Sequence, residues 1–209
     1  MSDSTILGKV ERYYTGKFEE HGGTPRGVDW NSPESQELRF AQLLRVVADP
    51  SKRFALNDFG CGYGALASYL EARGYDFSYC GFDLSTEMLE HAREANRGRS
   101  DVTFVGRVED LLLADYTVAS GVFNVRLDVE EEAWTSYVLA TLEQLSAVSK
   151  RGFAANMLTS YSDPERMRED LYYGDPRFFF DHCKRHFSRN VALLHDYDLY
   201  EFTLIVRLA

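Results

Sequence analysis

A chain of 209 residues has the length of one α/β domain with a modest N-terminal elaboration, and too little for two complete domains. Apolar residues make up 44 % of it, which supports one sizeable core and excludes intrinsic disorder. A formal net charge of −10 opposes any protein that grips phosphate backbones by charge alone, so no nucleic-acid partner is expected. No apolar run has the length to span a bilayer, and no basic-then-apolar leader is expected. The three cysteines, Cys61, Cys80 and Cys183, are widely spaced, which fits a reducing cytoplasm better than a disulfide framework.

In chain order, helices are predicted over 5–20 and 35–47, joined by a polar loop through Gly22, Gly23 and Pro25. From residue 53 onward short apolar runs alternate with helical patterns, the signature of parallel βαβ units. Strands are predicted over 53–59, 77–83, 102–105, 116–120 and 153–157. Between them, a helix with Leu66, Tyr69 and Leu70 toward the sheet stops near Gly74, and Ser85 caps a helix burying Met88, Leu89 and Ala92. A further helix opens on Glu130, Glu131 and Glu132 and carries Trp134, Val138, Leu142 and Leu145 at helical spacings. Asp175 and Pro176 open a helix over 177–187, in which the aromatic run Phe178-Phe179-Phe180, with Tyr172 and Tyr173 ahead of it, reads as core, with a substrate-pocket lining as the alternative. The last strands, 190–195 and 202–207, lie too close together for a helical crossover and should be antiparallel. The expected fold class is α/β: a Rossmann-like, doubly wound, mostly parallel seven-stranded sheet with an antiparallel final strand. Residues 1–50 are expected to form a helical cover, and 51–209 the core.

A strand that ends in glycines and opens into a helix suits a nucleotide-like ligand, because the backbone turns sharply and the helix presents free N–H groups. Here that segment is Asp58-Phe59-Gly60-Cys61-Gly62-Tyr63-Gly64. Asp83, at the end of the next strand, has the spacing of an acid that grasps ribose hydroxyls. Asp58 is placed to order the loop or to meet the amino group of an amino-acid cofactor.

The loop, followed by Gly81-Phe82-Asp83-Leu84-Ser85, resembles the first two motifs of class I S-adenosylmethionine-dependent methyltransferases, and the likeness of element order extends over about 50–209. The resemblance implies that Asp58, Gly60, Cys61, Gly62 and Gly64 cradle the cofactor. It also implies that Asp83 holds the ribose, that Leu84 and Val108 flank the adenine, and that Glu109 or Asp110 reaches its amine. The stretch Trp30-Asn31-Ser32, with Ser35 to Phe40 after it, is similar to the N-terminal cover of a bacterial subgroup that modifies small molecules and surface polysaccharides. That similarity implies that Tyr13, Tyr14, Trp30 and Arg39 lie near the methionine end, with Arg39 on its carboxylate.

The reaction expected is in-line methyl transfer to a hydroxyl or amine of a small organic molecule, in which the protein aligns the reactants and excludes water. His195, on the predicted ligand rim, or His21, in the predicted cover, is the candidate base for a protonated acceptor. Asn124, Tyr161 and Tyr197, which follow the fourth, fifth and sixth strands, are candidate acceptor contacts. His182, Cys183 and His186 share about one helical turn, but Lys184 and Arg185 lie between them, and no metal site is expected. Two other readings are open. One is an NAD(P)-dependent oxidoreductase, since Gly60-x-Gly62-x-x-Ala65 also satisfies the dinucleotide fingerprint. The other is a non-catalytic, methyltransferase-like binding subunit.

Overall fold

The computed structural model describes residues 3–208, with side chains from Ile6 onward, so the first two residues of the expected cover lie outside it. The N-terminal segment contains α1 (Asp3–His21), a 3-10 turn (Pro25–Val28), α2 (Pro33–Leu43) and a second 3-10 turn (Leu44–Val46). Then follow β1 (Phe54–Phe59), α3 (Ala65–Ala72), β2 (Phe77–Phe82), α4 (Thr86–Ala95), β3 (Val102–Val105) and β4 (Ala114–Ala119). The chain continues through α5 (Glu131–Ala147), β5 (Ser149–Leu158), α6 (Pro176–His186), β6 (Asn190–Leu194) and β7 (Glu201–Arg207).

The strands form one seven-stranded sheet in the order β3-β2-β1-β4-β5-β7-β6. The first five strands pair in parallel, while β7 runs antiparallel to both β5 and β6. The expected architecture is the one that folds, with a single reversed strand. Each face carries an apolar layer. Phe40, Leu43, Leu66, Leu70 and Leu89 pack on one side of the sheet. Trp134, Val138, Leu142, Leu145 and Phe179 pack on the other, and Ile6 of α1 joins them.

Three local differences from the sequence reading have physical causes. The strand expected from residue 153 starts at Ser149, because Lys150 and Arg151 stay in solvent while the Ser149 hydroxyl is buried and donates to the Leu145 carbonyl at 2.6 Å. The helix expected from residue 35 starts at Pro33, since Ser32 and Ser35 cap it reciprocally, and it tightens into a 3-10 turn after Leu43. Of the aromatic run, Tyr172 and Phe179 are core, whereas Phe178 is 46 % exposed.

Candidate functional site

The register sets the site. Phe59 lies opposite Phe82 on one side and Ala119 on the other, so β1, β2 and β4 end flush. The segments leaving these strands converge where the strand order reverses, the crevice in which open α/β sheets bind ligands. Gly60, Gly62 and Gly64 hold φ values of 78°, 54° and 83°, and a Cβ on Gly60 would fall 2.2 Å from Val122 Cγ1. Neither conformation nor space admits a side chain at Gly60. The N–H groups of Gly60 and Cys61 donate to the Phe82 carbonyl at 2.8 and 2.9 Å. Asp83 ties the two motifs together, its Oδ2 accepting from Gly62 N–H at 2.8 Å and its Oδ1 from Ser85 N–H at 3.0 Å. Ser85 in turn caps α4.

These segments border a cavity of about 360 Å³, in the range of small-ligand sites. Asp58, Gly60, Cys61, Gly62 and Asp83 line it, together with Leu84, Val108 and Glu109. Leu7, Val10, Glu11 and Tyr14 meet it from a single face of α1, as their helical spacing dictates, and Trp30 adds to this cover. Polar ties hold α1 down. The Tyr14 hydroxyl donates to the Gly121 carbonyl at 3.3 Å, and Thr15 Oγ1 donates to Ser85 Oγ at 3.0 Å. Tyr13 donates to Asp29 at 2.7 Å, and Lys9 pairs with Asp128 at 2.6 Å.

The electrostatics of the cavity are acidic. Burial lifts the Asp58 carboxyl to about 7, against the Tyr79 hydroxyl that donates to it at 2.7 Å, and the Asp83 charge raises it further. Burial also raises Asp83, outweighing the N–H bonds from Ser85, Gly62 and Leu84, and Glu11 adds to the rise. Burial, and then Asp83, holds the Cys61 thiol well above its ordinary range, so it is no nucleophile.

Ten of the sequence-predicted residues meet on this wall: Tyr14, Trp30, Asp58, Gly60, Cys61, Gly62, Asp83, Leu84, Val108 and Glu109. The others stand elsewhere. Gly64 caps α3, where Ala92 and Phe104 occupy the space of a side chain. Arg39 was expected on a ligand carboxylate, but the carboxylate it meets is the protein's own Glu201, and its guanidinium stacks on Trp30. Asn124 is buried and accepts from Leu158 N–H at 3.1 Å, fastening the segment after β4 to β5. Tyr197 is buried with its hydroxyl 2.7 Å from Thr203 Oγ1. His195 and the exposed Tyr161 lie together, ring centroids 5.8 Å apart, away from the cavity. His21 ends α1 beside Glu20, also off the wall. His182 and His186 stack on each other at 4.3 Å, and among the described residues no group of three side chains is arranged to hold a metal ion.

Sequence reasoning missed several lining residues. Tyr137, Thr141 and Gln144 of α5 line the cavity at spacings of four and three, on the flank of the buried Trp134 and Val138 face, so the helical period carried a signal for them. Glu11 carried none, because its place depends on how α1 lies across the strand ends.

Comparison with known proteins agrees with this geometry. A family of methyltransferase domains matches residues 57–152, from β1 into β5. Rv1506c of Mycobacterium tuberculosis, a protein named as a candidate methyltransferase, is 52 % identical over 168 residues, covering 79 % of this chain and 99 % of its own. The fold is similar to magnesium protoporphyrin IX methyltransferase from Synechocystis PCC 6803 with bound S-adenosylhomocysteine, with a TM-score of 0.63 and 14 % identity over 99 % of each chain. It is also similar to the N-methyltransferase NodS from Bradyrhizobium japonicum in complex with the same molecule, with a TM-score of 0.66 and 13 % identity over 95 % of this chain and 98 % of that one. The oxidoreductase reading of the glycine loop falls with these findings. The chain belongs to the methyltransferases, and its fold is the class I fold of those solved structures.

Proposed function

We propose that the chain uses S-adenosylmethionine to methylate a hydroxyl or amine of a small organic molecule, and that residues 1–50 act as a lid over the cofactor held by residues 51–209. The observation that carries this reading is one covered cavity bordered by the glycine loop, Asp83 and the inner face of α1. The residues present fit the cofactor. Asp58 is a buried and Asp83 a partly buried carboxylate, neither with a cation beside it among the described residues, suited to an ammonium and to ribose hydroxyls. The two Asp83 oxygens accept the N–H groups of Gly62, Ser85 and Leu84 and, with about four lone-pair sites between them, keep capacity for a hydroxyl. Leu84 and Val108 offer apolar surface to a flat ring, with Glu109 beside them for the ring amine. Tyr14 and Trp30, which line the cavity, would cover the methionine end and keep water out.

The cofactor supplies a methyl group on a sulfonium, an excellent leaving group. What remains for the protein is alignment and exclusion of water, which together account for a large share of such rate enhancements. Neither His195 nor His21 stands on the wall, so the reaction rests on positioning and not on a histidine base. A lid of this kind admits a small acceptor more readily than a polymer, and the acidic chain does not attract nucleic acid.

Calorimetry with S-adenosylhomocysteine tests the site, and transfer of labelled methyl to a panel of small alcohols and amines tests the reaction. Binding at roughly micromolar strength, weakened at least about tenfold in Asp83→Ala, is the expected result. Binding without transfer to any acceptor would instead favour a non-catalytic binding subunit.

A further inference from the structure

A closed circuit of contacts links two residues of the cavity wall, Trp30 and Gly121, through buried residues that do not line the cavity. It starts at Gly121, just after β4, which lines the cavity with a φ of 75°. The Gly121 N–H donates to Asn156 Oδ1 at 2.8 Å, and Asn156 Nδ2 donates to Glu201 Oε2 at 3.0 Å. Glu201 accepts from Arg39 Nε at 2.9 and 3.0 Å and also from its Nη2. Arg39 Nη1 donates to the Ser35 carbonyl at 2.8 Å, anchoring the fork to α2. The guanidinium lies over the Trp30 ring, 3.8 Å from its centroid. Trp30 closes the circuit, since a Cβ on Gly121 would sit 2.4 Å from its ring.

Burial makes this arrangement expensive. Asn156 is 0 % exposed, Glu201 1 % and Arg39 7 %. A buried ion pair returns little net stability, and a well-packed apolar pair of similar volume often serves as well or better. What the ionic version adds is direction. A planar fork on a carboxylate has one good geometry, and an amide with both ends engaged has one orientation. Two members of the circuit, Trp30 and Gly121, line the cavity, and the Gly121 carbonyl also takes the Tyr14 hydroxyl from the lid.

We infer that Arg39, Glu201 and Asn156 are positioning residues that hold Trp30 against Gly121 and so set the shape of the cofactor cavity. The inference rests on the reading of that cavity as the S-adenosylmethionine site. It extends that reading to β7 and to the interior of α2, neither of which borders the ligand space through these side chains.

The test compares Arg39→Met, Arg39→Met/Glu201→Met and Arg39→Lys with the wild type. Of the two tryptophans, Trp134 is fully buried, so acrylamide quenching of the free protein reports on Trp30. Arg39→Met leaves Glu201 buried without its counter-charge and should lower the melting temperature sharply, and the Met/Met pair should recover it. If the circuit positions the wall, the recovered pair still shows Trp30 quenched at least about twofold more efficiently, and an affinity for S-adenosylhomocysteine at least about tenfold weaker. Arg39→Lys keeps the charge but loses the fork and the stacking plane, and should show both changes while folded, even where the Met pair fails to fold. Wild-type quenching in a folded variant overturns the positioning role, and altered quenching with wild-type affinity overturns its bearing on the cofactor. Failure of the wild type itself to bind S-adenosylhomocysteine would instead count against the cofactor site, with the quenching comparison still deciding the geometry.

Discussion

Asp58→Asn should stabilise the free protein while impairing its function, and the pH dependence of that gain is the informative quantity. Asp58 is 3 % exposed, and its burial lifts the carboxyl from the ordinary value of 3.8 to about 7. Because the folded pKa lies above the unfolded one, the folded state binds the extra proton between them. Stability therefore falls as pH rises through that window, and the full deficit is present above about pH 7. At about 1.4 kcal/mol per decade, a rise from 3.8 to about 7 corresponds to about 4 kcal/mol. Asparagine carries no charge and can still accept from the Tyr79 hydroxyl, so it escapes most of that cost. The variant should melt higher than wild type by roughly 5–15 °C near pH 8, by the usual conversion for a domain of this size, with the difference shrinking toward zero only near about pH 4. Carboxylates shared by the two proteins cancel in the difference, so paired thermal melts across pH isolate Asp58. In the same samples, S-adenosylmethionine should bind the variant at least about tenfold more weakly near pH 8, because its ammonium loses a carboxylate partner. A difference in melting temperature that stays flat across pH, or a variant less stable than wild type above pH 7, would refute the reasoning.

Tyr79→Phe removes the hydroxyl that donates to Asp58 at 2.7 Å and restrains its rise. The pH at which cofactor affinity reaches half its plateau should therefore move upward, which calorimetry across pH would detect. Trp134→Ala empties a site of 0 % exposure and breaks the Nε1–H bond to the Phe123 carbonyl at 2.9 Å. A loss of about 3–5 kcal/mol is expected in urea denaturation. Burial, and then the stacked His186, lowers the His182 pKa. A depressed histidine contributes stability that is present above the unfolded pKa and lost as pH falls through the folded one. His182→Gln should accordingly flatten the acid limb of the stability profile just below the ordinary histidine range, as urea melts across pH would show.

The fold was legible because its signals are local and repeated. The alternation from Phe54 to Val105, the cap at Ser85 and the short separation of β6 from β7 each follow from spacing alone. Within the site, the glycine loop and Asp83 were legible for the same reason: the backbone demands glycine where φ is positive, and the acid must follow the adjacent strand directly. Arg39 was not legible in this way. A charge on α2 faces whatever the tertiary fold brings to it, and Glu201 lies 162 positions away. Asn124 and Tyr197 follow strands whose ends do point toward the ligand side, yet both side chains turn inward to satisfy buried partners. Their rim position was readable, and their orientation was not.

The cavity also links folding to binding through charge. Its described lining includes four carboxylates, Glu11, Asp58, Asp83 and Glu109, against the single guanidinium of Arg107, which itself lies 3.5 Å from Glu109. Burial already makes the ionised forms of Asp58 and Asp83 costly in the free protein. A ligand bearing positive charge offsets that cost, whereas a neutral ligand of the same shape offsets less of it. The sulfonium adds one positive charge that the demethylated product lacks. If residues 1–50 act as the proposed lid, substrate cofactor should therefore stabilise it, and the α1 face carrying Glu11, more than product does. In that reading, loss of the methyl group would remove part of this stabilisation and so favour product release.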